Sequence, residues 1–196
     1  FGLFLFCGMI PWLSYQETLT KAAQVIFNYR HLILQVRFPL KFLPIHISVT
    51  AFVQEVIALF LFILFVWWYN GSFPPHILYF ILLLPAKFIF TCGASFLLSA
   101  LAVQYRDFVQ LIHIVMMVWF FGSPIVYPLS QVPNSIYKYY ILNPFVSLVE
   151  MYRFAILGDG VWKWNSYFYF LFCAFLIYAL GYLYFRRKSR TFAYLV

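Results

Sequence analysis

The sequence predicts an all-α integral membrane protein: a helical bundle with five spans, and a re-entrant helical hairpin before the last of them. Three observations carry that prediction. Hydrophobic residues make up 65% of the chain and charged residues only 9%, with a mean hydropathy of +0.89, whereas a soluble domain carries about 25% charged residues. The apolar residues fall into runs close to the roughly 20 that cross a bilayer core. Finally, the stretch from Val118 to Gly158 is far too apolar for a water-exposed loop, yet Pro124, Pro128, Pro133 and Pro144 interrupt it. Each proline removes a backbone donor and disfavours helix at the residue before it, so the chain turns several times there. Non-helical backbone at membrane depth is tolerated only where it packs inside protein or lines a cavity, so short helical pieces between clean spans mark a pathway. The plainer alternative is an outer loop with a few packed aromatics.

Phe1 to about Ile26 starts as continuous apolar sequence and turns polar at Gln16, Glu17 and Lys21, which reads as the end of a span. The chain opens at Phe1 in the middle of an apolar run, and is expected to be the later part of a longer membrane subunit forming one domain over residues 1–196. Trp12, beside Pro11, is either an interfacial anchor or a helix-packing residue. Asn28 to Phe38 is amphipathic and cationic, with Arg30, His31 and Arg37 set around Leu32, Ile33, Leu34 and Val36 and with Pro39 as its boundary. It fits a short helix at the cytoplasmic surface, lying on lipid headgroups or in a groove of a soluble partner, or serving only to orient the span.

Leu40 to Trp68 is long enough to cross with tilt and closes on Trp67, Trp68 and Tyr69, an aromatic belt. Glu55 lies near its middle, where a carboxylate costs roughly 2.5 to 3.5 kcal/mol on insertion scales, so it must face protein or water. The next span, about Ile77 to Val103, carries Lys87 after Pro85. A lysine so far from both ends either pairs, with Glu55 across the bundle, or points into a wet cavity. Gly93, Ala94, Ser95, Ser99 and Ala100 give this span a small-residue face for close packing. Phe108 to about Phe121 leads into the broken stretch, with His113 as a packing residue, and the last span covers about Asn165 to Phe185.

Within the broken stretch, Asn143 is positioned as an N-cap, with Pro144 at the first helical position where its missing donor costs nothing. Glu150 and Arg153 then share one helix face. That helix is expected to be buried nearly all round, so the two charges should pair with each other or with a second copy of the chain. Tyr127, Tyr137, Tyr139 and Tyr140 concentrate aromatic surface in the same stretch.

The formal net charge of +8 does not imply nucleic acid, because the cations are not gathered into a stripe. Lys21, Arg30, Arg37 and Lys41 share one side with Arg106 and with Arg186, Arg187, Lys188 and Arg190, while the other side has none from Trp68 to Ile77 and only Lys138, Arg153 and Lys163 in and just after the broken stretch. By the positive-inside rule those ends and the C-terminus are cytoplasmic, and the broken stretch faces outward. Cys7, Cys92 and Cys173 are far apart in apolar surroundings without metal-ligand spacing, so neither a metal nor a disulfide is expected.

Taken in order, Gly8, Pro11 and Trp12; Asn28 with Leu32 and Ile33; Phe38, Pro39 and Pro44; Arg106 and Asp107; Ser123, Pro124, Ile125 and Tyr127; and Asn143 and Pro144 followed by Glu150, Tyr152 and Arg153 resemble the membrane subunits of type 2 ABC exporters, specifically those for polysaccharides such as O-antigen, teichoic acid or capsule. The resemblance implies six spans in the intact subunit, with an interface helix and first span ahead of Phe1. It also implies a homodimer in the bacterial cytoplasmic membrane, and a separate ABC ATPase that supplies ATP and Mg to a chain holding no cofactor. Asn28, Arg30, Leu32, Ile33 and Arg37 would form the coupling helix. Ser123, Pro124, Tyr127, Tyr137, Tyr139, Tyr140, Asn143, Pro144, Glu150 and Arg153 would build a re-entrant outer gate, with Glu55 and Lys87 as intramembrane polar groups. The sequence has no GxxxxGK[ST] motif to cradle phosphate, which agrees with that division of labour. Physics lends the glycan reading some support: sugar rings present apolar C–H faces, and 26 Phe and 16 Tyr offer surfaces that pass a lipid-linked glycan without gripping it.

A type 2 permease for a drug or lipid shares the same features. A membrane-embedded transferase would have only His113, Glu55, Glu150 and Asp159 as acid–base groups, and no two of them stand at a catalytic spacing. A passive channel is separated from all of these by whether transport requires ATP.

Overall fold

The computed structural model describes residues 1–35, 39–105, 107–158 and 160–189, apart from the side chains of Leu32, Ile33, Leu34, Asn134 and Ile136. Eight α-helices and two short 3-10 turns account for all regular structure among the described residues. Helix α1 runs Gly2–Asn28 and passes through Pro11, and α2 is the short Arg30–Gln35. Helix α3 covers Phe42–Asn70, with Pro44 in its first turn, where a proline displaces no hydrogen bond. A 3-10 turn at Ile77–Tyr79 opens into α4, Phe80–Gln104. Helix α5 is Phe108–Phe121, and after turns comes α6, Asn134–Tyr140. Helix α7, Pro144–Leu157, is followed by α8, Trp164–Lys188.

Three of these are long and apolar enough to cross a membrane: Phe42–Asn70, Ile77–Gln104 and Trp164–Lys188. The other two segments read as spans are helical but differ for physical reasons. Helix α1 carries Ser14, Gln16, Glu17, Thr18, Thr20 and Lys21 in its second half. Helix α5 has only 14 residues, about 21 Å of rise, against a hydrocarbon core of roughly 30 Å.

Helix α4 is the hub, packed along α8, α1 and α3. Half of its apolar window is buried, against about a quarter for α3 and α8, whose outward Ile57, Phe60, Leu61, Phe168 and Phe172 are left for lipid. The α4–α8 contact is backbone on backbone. A Cβ built on Gly93 would fall 2.4 Å from the Cα of Tyr178, and one on Gly181 would fall 2.1 Å from the carbonyl oxygen of Gly93, so only glycine fits at either site. Lipid tails are as apolar as leucine, so helix association in a bilayer leans on such close packing.

Two apolar clusters fill the interior. The smaller gathers Val25, Ile26, Leu43, Phe96, Val103 and Phe185 near the ends that carry Lys41 and Arg186. The larger is an aromatic knot in which Phe145, at the start of α7, lies 4.7 Å from Tyr15, 5.0 Å from Trp12 and 5.6 Å from Trp119 between ring centroids. Edge-to-face pairs of this kind add about 0.5 to 1.5 kcal/mol each beyond burial. They fasten the N-terminus of α7 to α1 and α5.

Candidate functional site

Glu55 and Lys87 are both 2% exposed and form an ion pair across the bundle. Their surroundings explain how two charges persist there. Lys87 Nζ donates to Glu55 Oε2 and, at 2.8 Å, to Ser14 Oγ. The Ser14 hydroxyl lies 3.0 Å from Glu55 Oε2 and 3.3 Å from the carbonyl of Ala51, and the Tyr152 hydroxyl donates to Glu55 Oε1 at 2.9 Å. One carboxylate thus joins α1, α3, α4 and α7. A ladder of hydroxyls continues from it: Thr91 donates to the carbonyl of Lys87, Ser95 to that of Thr91, and Ser48 to Ser95 Oγ at 2.9 Å. The small residues of α4 therefore also carry hydrogen bonds between helices.

The broken stretch is held by Asn143. Its Oδ1 accepts from Phe145 N at 3.0 Å, the anticipated N-cap, and also from Trp119 Nε1 at 3.1 Å. Its Nδ2 donates to the carbonyl of Gly122 and to Ser123 Oγ at 2.9 Å. One amide thus pins both ends of the segment between α5 and α7, and Ser123, Pro124 and Ile125 are buried. The tyrosines divide. The hydroxyls of Tyr127 and Tyr140 meet at 2.7 Å, Tyr139 is 76% exposed, and Tyr137 lines a small cavity.

In α7 every residue from Phe145 to Ile156 is buried except Glu150. Arg153 donates through Nη1 to Glu150 Oε1 and through Nη2 to the carbonyl of Ile125, both at 3.0 Å. Its guanidinium carbon sits 3.4 Å above the ring of Phe4, an arrangement worth about 0.5 to 2 kcal/mol. Arg153 thereby ties α7 to both the turn after α5 and to α1.

At the other end, Asn28 and Arg30 are exposed around the α1–α2 junction. The side chains of Leu32 and Ile33, all of Arg37 and all of Arg106 lie outside the described residues. Glu17 and Lys21 form an exposed i,i+4 pair. Among the described residues no cluster of His, Cys, Asp or Glu could hold a metal ion. Sequence reasoning missed Ser14, Trp119 and Tyr169, whose hydroxyl donates to the carbonyl of Leu142 at 2.6 Å, and it assigned Tyr152 no contact. The one available signal was the polar half of α1, which had to meet something inside the bundle.

Fold and site together define a polytopic helical membrane protein with charges locked between its helices and a pinned, broken segment at one end. The chain belongs to the ABC-2 type transporter family, whose model matches residues 2–157. It is 31% identical over 156 residues to the O-antigen export system permease protein RfbA of Myxococcus xanthus, covering 78% of this chain and 60% of that one. It is 24% identical over 168 residues to the polysialic acid transport protein KpsM of Escherichia coli, covering 80% and 61%. A Klebsiella pneumoniae RfbA matches at 22% over 194 residues, 98% of this chain and 74% of the relative. The chain thus spans about 60% of the length of the first two relatives.

Proposed function

We propose that this chain is the membrane subunit of an ATP-driven exporter that carries a lipid-linked polysaccharide, of the O-antigen or capsule type, across the bacterial cytoplasmic membrane. The observation that carries the reading is the likeness along most of the chain to permeases named for O-antigen export and polysialic acid transport. In the working subunit α1, α3, α4, α5 and α8 serve as spans and the C-terminus is cytoplasmic. The segment from Gly122 to Leu157 re-enters from the outer side as a gate. Two copies form one channel in lipid. A separate ABC ATPase, binding ATP and Mg, docks on the α1–α2 junction through Asn28, Arg30, Leu32, Ile33 and Arg37.

The geometry suits this division of tasks. Asn143 and Arg153 hold the outer segment through hydrogen bonds that can break and re-form, whereas the Glu55–Lys87 cluster ties the helices beneath it. A movement passed up α1 from the junction reaches α7 through Ser14, Glu55 and Tyr152. The test is reconstitution of the full-length permease with its ATPase in proteoliposomes. ATP-dependent passage of a lipid-linked glycan, lost when Leu32 and Ile33 are both changed to Asp, is the expected outcome. Transport of only drugs or simple lipids would replace this reading with that of a drug or lipid permease.

A further inference from the structure

Helices α3 and α8 both pack on α4, and between the start of one and the end of the other lies a groove of about 230 Å³. It is larger than the cavity of about 150 Å³ that takes up a benzene ring. Pro39, Leu40, Tyr182 and Phe185 give it apolar wall, and Lys41 and Arg186 bring one cation from each side. Among the described residues no carboxylate lines it. The wall is preformed: the Tyr182 ring lies parallel to Tyr178 at 6.3 Å and edge-on to Phe96 at 5.6 Å, and Phe96 meets Phe185 at 5.3 Å. Both cations are exposed, so their stems can cover apolar wall while their heads stay at the water boundary. The Arg186 guanidinium makes no hydrogen bond or ion pair among the described residues, and the Lys41 ammonium stands 5.6 Å over the ring of Phe42. On the flanks Phe42 and Leu183 are 49% and 51% exposed, apolar surface that suits acyl chains and not water.

We propose that this groove holds one anionic phospholipid, its phosphate between Lys41 and Arg186 and the first carbons of an acyl chain on Tyr182 and Phe185. The inference goes beyond the export reading and does not depend on the cargo. Orienting a span by the positive-inside rule requires only that cations lie at its ends. It does not require a preformed apolar groove between them. Basic pockets between membrane helices take anionic headgroups, each Lys or Arg near the surface strengthening the attraction about fivefold. A free phosphate uses the charge and leaves the apolar wall wet, and a zwitterionic headgroup brings its own cation against the two already there. An acidic segment of a soluble partner would have to sit beside Phe42 and Leu183, whose exposed apolar surface faces lipid in a membrane. Seated in the groove, the lipid bridges the start of α3 to the end of α8.

The test is native mass spectrometry of the full-length permease in detergent, titrated with phosphatidylglycerol or with phosphatidylcholine of identical chains. Glycerophosphoglycerol, the same headgroup without acyl chains, and inorganic phosphate serve as competitors. One phosphatidylglycerol should bind per chain, about tenfold or more tighter than phosphatidylcholine, and neither competitor should displace it at millimolar concentration. Lys41→Gln and Arg186→Gln should each weaken it about fivefold. Lys21→Gln, which removes an exposed cation paired with Glu17, should leave it unchanged. Equal affinity for the two lipids, an equal loss in Lys21→Gln, or unchanged binding when Lys41→Gln and Arg186→Gln are combined overturns the site. Displacement by phosphate or glycerophosphoglycerol makes it a bare anion site, and release of the lipid on adding the ATPase gives the groove to that protein; either result overturns the lipid assignment.

Discussion

Glu55 and Lys87 meet across 32 positions of sequence and are sealed from solvent, while Glu150 and Arg153 meet across three and share one helix face. The first pair draws its stability from neighbours on other helices, since Ser14 and Tyr152 occupy the carboxylate oxygens that would otherwise face hydrocarbon. In the second, only the arginine is buried. Its work is done through the carbonyl of Ile125 and the ring of Phe4, while Glu150 stays half-exposed. Charge pairs of the same chemical type therefore serve as a cross-bundle lock in one place and as an aiming device in the other. The distinction lies in which partner water can reach.

That contrast is broken most sharply at Lys87. Lys87→Met strands a buried carboxylate and should cost about 3 to 5 kcal/mol, seen as a large fall in melting temperature, whereas Glu55→Gln with Lys87→Met should recover most of the loss. If the double variant is as unstable as the sum of the singles, the pair is not a mutual compensation. Next comes Tyr152→Phe, which removes a hydrogen bond to a charged acceptor worth about 1.5 to 3 kcal/mol; differential scanning fluorimetry should place it between wild type and Lys87→Met. At the outer pair the outcome should be lopsided. Arg153→Met should destabilise by about 1 to 2 kcal/mol through its lost contacts to Ile125 and Phe4, and Glu150→Gln by about 1 kcal/mol, because the amide oxygen still accepts from Arg153 while the buried guanidinium loses its counter-charge. Equal losses would make the outer pair a lock like the inner one. The smallest effect belongs to the exposed Glu17–Lys21 pair, where Glu17→Gln should shift stability by less than about 0.5 kcal/mol at ordinary salt.

The inner lock was half legible in the sequence. A carboxylate and an ammonium in the middle of two apolar runs have few choices, so pairing of Glu55 with Lys87 stood as one of two readings, a wet cavity being the other. Ser14 and Tyr152 were not legible, because a serine in a helix satisfies itself on its own backbone, and a tyrosine 97 residues from its acceptor leaves no periodic trace. The N-cap of α7 was readable from Asn143 and Pro144, since capping is local. The other three bonds of that amide, to Trp119, Gly122 and Ser123, depend on how the chain folds back and were invisible. Spans were legible wherever hydropathy decides. Three of the five expected spans meet that criterion, while a polar half sets α1 apart and a short length sets α5 apart. The groove between α3 and α8 had no sequence signal beyond its basic ends, because its walls come from two elements far apart in the chain.

The lock on Glu55 also bears on how the protein is made. Helices enter a membrane in the order they are synthesised, and α3 and α4 are joined by only a short connection, residues 71–76. They can be released into the bilayer as a hairpin with Glu55 and Lys87 already matched, which spares each charge a solitary exposure to lipid. Ser14 is waiting on α1 by then, but Tyr152 is not yet synthesised. One carboxylate oxygen therefore goes without its tyrosine partner until α7 arrives, and the Tyr152 hydroxyl closes on Oε1 before α8 seats against α4.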